Sequence, residues 1–159
     1  LSLQHLPEIA GVTLTNFLHR AYRETNGSTM TPLEFYTHMK SIADEVGISS
    51  EFLKKHVNSG LSGGEKKQSE MLQLLALRPR FAFLDEIDSG VDVDAMKRVY
   101  SIIDRLRKEE VGFFLVTHHT NILEHVGADA VSIMREGKLV ATGGKELVER
   151  IAREGFTGL

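Results

Sequence analysis

A glycine-rich pentapeptide is the part of the sequence best suited to binding an anion. It reads Leu61-Ser62-Gly63-Gly64-Glu65 and opens a predicted helix over residues 62–77. Two glycines at a loop-to-helix junction let backbone N–H groups approach an anion closely, and the helix N-terminus adds partial positive charge. The Ser62 hydroxyl offers a further donor. Taken alone, the pattern is also compatible with an ordinary glycine-containing helix start.

Two consecutive carboxylates, Asp85 and Glu86, follow about twenty residues later, at the end of the apolar run 81–84. In a nucleotide hydrolase, a strand end of this kind presents one carboxylate to hydrated Mg²⁺, while the other orients or deprotonates water. By themselves, two consecutive acids are better interpreted as a solvated strand end. A calcium loop over residues 85–96 is excluded, because Ile87 occupies a ligand position and Met96 replaces the bidentate glutamate.

A histidine follows the second apolar run, which covers residues 112–116. His118 at a strand end can donate a hydrogen bond to a phosphate oxygen and respond to its loss, although a histidine is also often structural or solvated. The neighbouring His119 does not make a metal site with it, because no ligand pair has helical spacing.

Short apolar strands and helices alternate in the second half of the chain, and they must position these groups. This alternation predicts a parallel sheet buried on both faces. Upstream, helices are expected over residues 13–24, 31–46 and 50–56, the second opened by a capping box of Thr31 and Glu34. Downstream, a hairpin over residues 130–142 precedes a helix over 145–154. The sequence predicts an α/β fold: a helical insert followed by half of a sheet.

Composition limits the functional classes. The net charge of -3 argues against a dedicated nucleic-acid binder, and without cysteine the chain cannot hold an iron–sulfur cluster through its own thiolates. No apolar run approaches the roughly 20 residues that span a bilayer. We expect a cytoplasmic protein without direct membrane insertion.

In order and spacing, the motifs resemble those of ABC ATPases. The signature is residues 61–65, the Walker B strand 81–86, the D-loop 89–92 and the switch histidine His118, with Gln4 at the Q-loop position. The resemblance covers essentially the whole chain. It implies a P-loop NTPase core with a partial parallel sheet and an α-helical subdomain. The expected segments are a Q-loop segment (1–12), the α-helical subdomain (13–60), and the signature helix with the C-terminal part of the RecA-like core (61–159).

The resemblance also implies roles for individual residues. Glu86 would act as base on water, and His118 would contact the γ-phosphate. Asp85 would hold Mg²⁺ through water, and Gln4 would sense the metal and the γ-phosphate. In the family, the signature of one subunit closes on ATP held by the P-loop of the other in a head-to-tail dimer. The implied ATP-binding residues are Gln4, Leu61, Ser62, Gly63, Gly64, Glu65 and, at the dimer seam, Asp92.

Finer matches resemble the SufC-like ATPases of iron–sulfur cluster assembly. They lie in residues 8–12, 62–67 and 85–95, and Gly90 stands where transporter ATPases more often have alanine. Leu6 and Ala10 depart from the prolines that the family commonly shows. The resemblance implies a transient ATP-dependent homodimer that drives a SufB–SufD-like scaffold, contacted through the Q-loop and the helices up to Val57. Two alternatives stay open: the ATP-binding subunit of a membrane ABC transporter, and a truncated, non-catalytic decoy.

The chain contains no P-loop sequence, G-x-x-x-x-G-K-[ST]. The segment at Gly143 has two glycines and a lysine but lacks the spacing and the final hydroxyl. We therefore expect a preceding part of the domain to be missing, the chain alone to be inactive, and its uncovered sheet edge to be prone to aggregation.

Overall fold

The structure is a computed structural model that describes residues 8–87, 92–118 and 121–155. The predictions for Gln4 and for D-loop residues 89–91 fall outside the described residues. The chain divides into two compact units, one up to Val116 and the other from Thr117.

Three α-helices pack together in the first unit, and each begins at a hydroxyl-bearing cap. They are α1 (Leu14–Asn26), α2 (Pro32–Glu45) and α3 (Gly63–Leu77). The capping box predicted at Thr31 is confirmed, because its side chain accepts from the Glu34 N–H and Glu34 reaches back to the Thr31 backbone. The core between the helices is apolar and closely packed; its fully buried side chains include Leu14, Leu18, Phe35, Met39, Met71 and Leu72.

A short antiparallel strand pair, missed by the sequence patterns, joins the two ends of the helical segment. Strand β1 (Ile9–Thr13) pairs with β2 (His56–Val57). The helix predicted over residues 50–56 is shorter than expected: a 3₁₀ helix, η1 (Ser50–Lys54), stops before β2. The backbone N–H of Leu14 donates to the carbonyl of Lys55 at 2.8 Å. The start of α1 is therefore fastened to the segment that leads into α3.

Two parallel strands follow α3, connected by α4 (Val93–Lys108). Strand β3 (Phe81–Asp85) pairs in register with β4 (Gly112–Val116). One face is covered, with Ala82 and Leu84 buried. The other face carries four exposed apolar side chains, which we call the aromatic face: Phe81, Phe83, Phe114 and Val116. The prediction of a sheet buried on both faces is therefore wrong for this strand pair.

The second unit contains α5 (Asn121–Val126), β5 (Val131–Arg135), β6 (Lys138–Gly143) and α6 (Lys145–Glu154). The hairpin of β5 and β6 and the final helix confirm the sequence prediction, whereas α5 was not predicted. Ile133 packs with Leu147 and Ile151 in a small core. Within the described ranges, no helix is long and apolar enough to cross a membrane.

Candidate functional site

The turn that opens α3 is held by a closed set of hydrogen bonds. Ser62 is the N-cap, with extended backbone angles of φ −63° and ψ 165°, and its Oγ accepts from the Glu65 N–H at 3.3 Å. In return, Glu65 Oε2 accepts from the Ser62 N–H at 2.9 Å and from its hydroxyl at 3.0 Å. This capping box fixes the serine in place, while the N–H groups of the first turn remain at the positive end of the helix.

The Glu65 carboxylate is also paired with a cation from outside the helix. Lys55 Nζ donates to Glu65 Oε1. Lys55, followed by the backbone and hydroxyl bonds from Ser62, lowers the pKa of Glu65 to about 2. At neutral pH the anion-binding end of the helix therefore contains an ionised carboxylate together with its counter-ion. In the next residue, Lys66, Nζ lies 3.6 Å from Oε1 of Glu8. Both side chains are partly exposed, so this ion pair contributes little to stability.

Gly64 has no structural need to be glycine. A Cβ added at this position would meet no atom of the chain within 4 Å, and the residue lies within the first turn of an ordinary helix. Glycine costs a helix roughly 0.5–1 kcal/mol relative to alanine. The fold therefore accepts a small loss of stability for an uncovered backbone at this turn, as a ligand approaching from outside would require.

Asp85 and Glu86 occupy the carboxyl end of β3. Strand alternation places Asp85 on the same face as Phe81 and Phe83, directly opposite Val116 of β4. Glu86 has a left-handed backbone, φ 45°, and its N–H donates to the Val116 carbonyl at 2.9 Å. A left-handed conformation at a non-glycine residue is strained, and it also occurs here at four other described residues: Asn58, Arg78, Glu110 and Glu136.

The remaining predicted site residues with described positions are Asp92, His118 and Leu61. Asp92 is the N-cap of α4, where Oδ1 accepts from the Ala95 N–H at 2.8 Å. His118 is exposed and belongs to the second unit, two residues beyond the end of β4. Leu61 is half-buried just before the capping box. The structure thus brings together residues 62–65 at one turn and residues 85–86 at another.

A divalent metal could be held at the strand end. Within the described ranges there is no cluster of three or more His, Cys, Asp or Glu residues able to bind an ion. Mg²⁺ does not need such a cage, because it is usually bound through one or two carboxylates with waters and substrate phosphates. The half-buried Asp85, a single hard oxygen donor at the end of a strand, fits that mode of binding.

Sequence reasoning missed one residue of this region, Lys55. It lies ten positions before Glu65, in the segment between η1 and β2, and no local motif connects the two. Only the non-local fold brings the ammonium group to the carboxylate.

Comparison with known proteins gives relatives over nearly the whole chain. No family model matches. Vegetative protein 296 of Bacillus subtilis is 38% identical over 158 residues, 98% of this chain and 60% of its own length. The probable ATP-dependent transporter ycf16 of Cyanidium caldarium is 39% identical over 98% of this chain and 63% of its length. A probable ABC transporter ATP-binding protein of Streptococcus pyogenes is 35% identical over 100% of this chain and 63% of its length.

Solved structures give the same architecture. The dimeric ATP-binding cassette MJ0796, in a post-hydrolysis state with ADP and Pi, superposes with a TM-score of 0.76 over 89% of this chain and 60% of that one, at 15% identity. The cassette MJ1267 superposes with a TM-score of 0.67 over 96% of this chain and 64% of that one, at 18% identity. The chain has the ABC ATPase cassette fold. It spans about 60% of the length of the cassettes and curated relatives that it matches.

Proposed function

We propose that this chain supplies the signature and the strand-end carboxylates of an ABC-type ATPase. The observation that carries the proposal is the opening of α3: a cassette fold in which Ser62 is fixed by a capping box beside a glycine that the fold does not need. Such a turn presents the backbone N–H groups of Gly63 and Gly64 to an anion, while the Ser62 hydroxyl donates to Glu65 and fixes the turn. Relatives named as ATP-binding proteins support the same function.

The chemistry at the strand end is hydrolysis of a phosphoanhydride. In this proposal Glu86 takes a proton from the attacking water, and Asp85 binds Mg²⁺ through water. When bound, Mg²⁺ neutralises charge on the phosphates. His118 and Gln4 contact the γ-phosphate. The left-handed backbone of Glu86, fastened to Val116 by its N–H, turns the base out of the strand direction.

The signature serves a second subunit. Ser62, Gly63 and Gly64 close on ATP that the other subunit holds, and Asp92 lies at the seam. The dimeric state of the cassette MJ0796 supports this arrangement. No P-loop motif occurs in the 159 residues, so we expect this chain alone to bind ATP too weakly to measure by calorimetry. Micromolar affinity would contradict the assignment of roles.

The experiment for the general function uses the full-length protein as its gene encodes it. ATP should convert a monomer into a dimer in analytical ultracentrifugation, and hydrolysis should return it to the monomer. A protein that neither dimerises with ATP nor hydrolyses it would overturn the proposal and favour the decoy. Coding DNA that continues upstream into a P-loop would oppose the decoy.

Our finer proposal is a SufC-like role in iron–sulfur cluster assembly, with a SufB–SufD-like scaffold bound in the cytoplasm. It is supported by the residues that resemble that branch, among them Gly90 and the Lys66-Lys67 pair after the signature. With no cysteine, the chain would act on a cluster only through such a partner.

A second candidate, the ATP-binding subunit of a membrane transporter, is favoured by the names of two of the relatives. Affinity purification of the tagged full-length protein from its native cells, with and without detergent, separates the two candidates. A soluble scaffold recovered without detergent supports the first, and a membrane-spanning permease recovered only with detergent contradicts it.

A further inference from the structure

The opening of α3 contains an electrostatic conflict if it receives a phosphate. The Ser62 hydroxyl donates its one proton to Glu65 Oε2 at 3.0 Å, so an ionised carboxylate lies directly beside the turn whose Gly63 and Gly64 N–H groups are proposed to bind ATP. A carboxylate in that place repels a triphosphate, and at such short range the repulsion is not removed by salt. The capping box that fixes the serine therefore opposes the ligand that the turn would bind.

Lys55 resolves this conflict in the structure. Its Nζ pairs with Glu65 Oε1, the oxygen that does not bind Ser62. The carboxylate can then hold the serine through one oxygen while its charge is balanced through the other. The lowered pKa of Glu65 is consistent with this pairing and keeps the group ionised at neutral pH.

The lysine itself is held in position by the fold. Its backbone N–H donates to the carbonyl of Phe52 at 3.1 Å, and its own carbonyl accepts from the Leu14 N–H at 2.8 Å. Its ammonium group lies 5.6 Å from the centroid of the Phe52 ring. Two backbone hydrogen bonds, to η1 and α1, therefore hold the main chain of Lys55, and one ring contact, with Phe52 of η1, involves its side chain.

We infer that Lys55 is a positioning residue for the signature: it neutralises Glu65, so that Ser62 stays fixed and the turn still accepts the phosphate of a second subunit's ATP. This inference rests on the proposed function. It gives Lys55, the residue between η1 and β2, a part in nucleotide binding that no sequence motif indicates.

The neighbouring Lys54 is a matched control. It pairs with Glu51 at 2.7 Å, three residues away in the same 3₁₀ helix, and both side chains are largely exposed. Replacing Lys54 removes the same charge one residue away and leaves Glu65 with its partner. A difference between the two alanine variants therefore reports the pairing with Glu65.

The test measures the ATP concentration that gives half-maximal dimer in the full-length protein, with Glu86→Gln in every sample to prevent turnover. Lys55→Ala should raise this concentration about tenfold, Lys54→Ala should change it less than about twofold, and Lys55→Arg should restore it. In the double variant Lys55→Ala with Glu65→Gln, the ATP concentration for half-maximal dimer should lie within about twofold of that of Glu65→Gln alone. Without the Glu65 carboxylate there is no negative charge for Lys55 to balance. Thermal unfolding of both alanine variants checks that the fold is retained.

Each outcome is decisive. Equal ATP concentrations for half-maximal dimer in the two alanine variants would overturn the role of Lys55. A double variant that dimerises as weakly as Lys55→Ala would also overturn it, because neutralising Glu65 does not relieve a purely structural defect. If the parent protein does not dimerise with ATP at all, the proposed function fails, and the inference fails with it.

Discussion

The start of α3 and the end of β3 carry the two groups of predicted site residues, and they are built in opposite ways. At the start of α3, Ser62 and Glu65 satisfy one another and Lys55 balances the charge. At the end of β3, Glu86 is strained and its strand has an exposed apolar face. The first site is shaped by residues three apart in sequence, whereas the second depends on pairing with Val116, thirty residues away.

This difference separates positioning from reactivity. A capping box forms wherever its helix forms, so the signature is preformed before any ligand arrives. Backbone strain at Glu86 persists only because the strand pair holds it, as the hydrogen bond from its N–H to Val116 indicates. We therefore expect substitutions at the strand end to alter turnover and those at the helix start to alter affinity.

The largest effect is expected from Glu86→Gln in the full-length protein. It should retain ATP-dependent dimerisation but lower the hydrolysis rate about 10²–10⁴-fold, because in the proposed mechanism it removes only the general base. Glu110→Gln is a matched control, since Glu110 also has a left-handed backbone, φ 66°, but follows α4. Phosphate release measures both. Near-normal turnover in Glu86→Gln would show that another group is the base.

The two faces of β3 should differ in their contribution to stability. Leu84→Ala removes a buried side chain and should lower the free energy of unfolding by about 3 kcal/mol. Phe83→Ala, on the aromatic face, should cost less than about 0.5 kcal/mol in the 159-residue chain, because Phe83 is 52% exposed. Urea denaturation measures both. A loss of several kcal/mol at Phe83 would mean that this face is covered in solution.

Gly64→Ala should change stability and affinity in opposite directions. The helix has room for the methyl group, so the free energy of unfolding should rise by about 0.5 kcal/mol. ATP-dependent dimerisation of the full-length protein should require at least about tenfold more ATP, because the methyl group keeps the backbone from the phosphate. Gly27→Ala is the control: Gly27 has a left-handed backbone at the end of α1, so alanine there should lower the free energy of unfolding and leave the ATP requirement for dimerisation unchanged. Unaltered affinity in Gly64→Ala would argue against a phosphate at this turn.

The smallest expected effect is a change in how the free energy of unfolding depends on pH. Glu65 has a folded pKa of about 2, below the roughly 4.3 of an unfolded glutamate. Its ionised form therefore stabilises the fold above about pH 4, and this contribution is lost as the pH falls toward 2. Glu65→Gln should flatten the fall in unfolding free energy over this range in acid urea titrations, and Lys54→Ala should not. An unchanged slope in Glu65→Gln would contradict the pairing.

Local features of the fold could be predicted from the sequence because their causes are local. The capping box at Thr31 follows from a three-residue spacing, and the hairpin and last helix follow from their patterns. The pairing of Ile9 with Val57 could not be predicted, because two residues of β2 carry no periodic signal and the partner lies 48 positions away.

The same distinction applies to the candidate site. Ser62, Asp85 and Glu86 were predicted from their motifs, whereas Lys55 pairs with a residue ten positions away, beyond strand β2 and within α3. The sheet prediction was wrong for a different reason. An apolar strand pattern shows which faces a strand can bury, but burial also requires another element packed on that face. Phe83 and Phe114 pack against each other, with 5.6 Å between ring centroids, and both remain more than half exposed.

The unneeded glycine at position 64 has an evolutionary consequence. Alanine fits there without a clash and favours the helix, so random substitution drifts toward alanine once no nucleotide has to be accommodated. If the proposed contact with ATP is correct, glycine should be retained at this position among orthologues. Alanine appearing there in one lineage would indicate that this contact is no longer under selection in that branch.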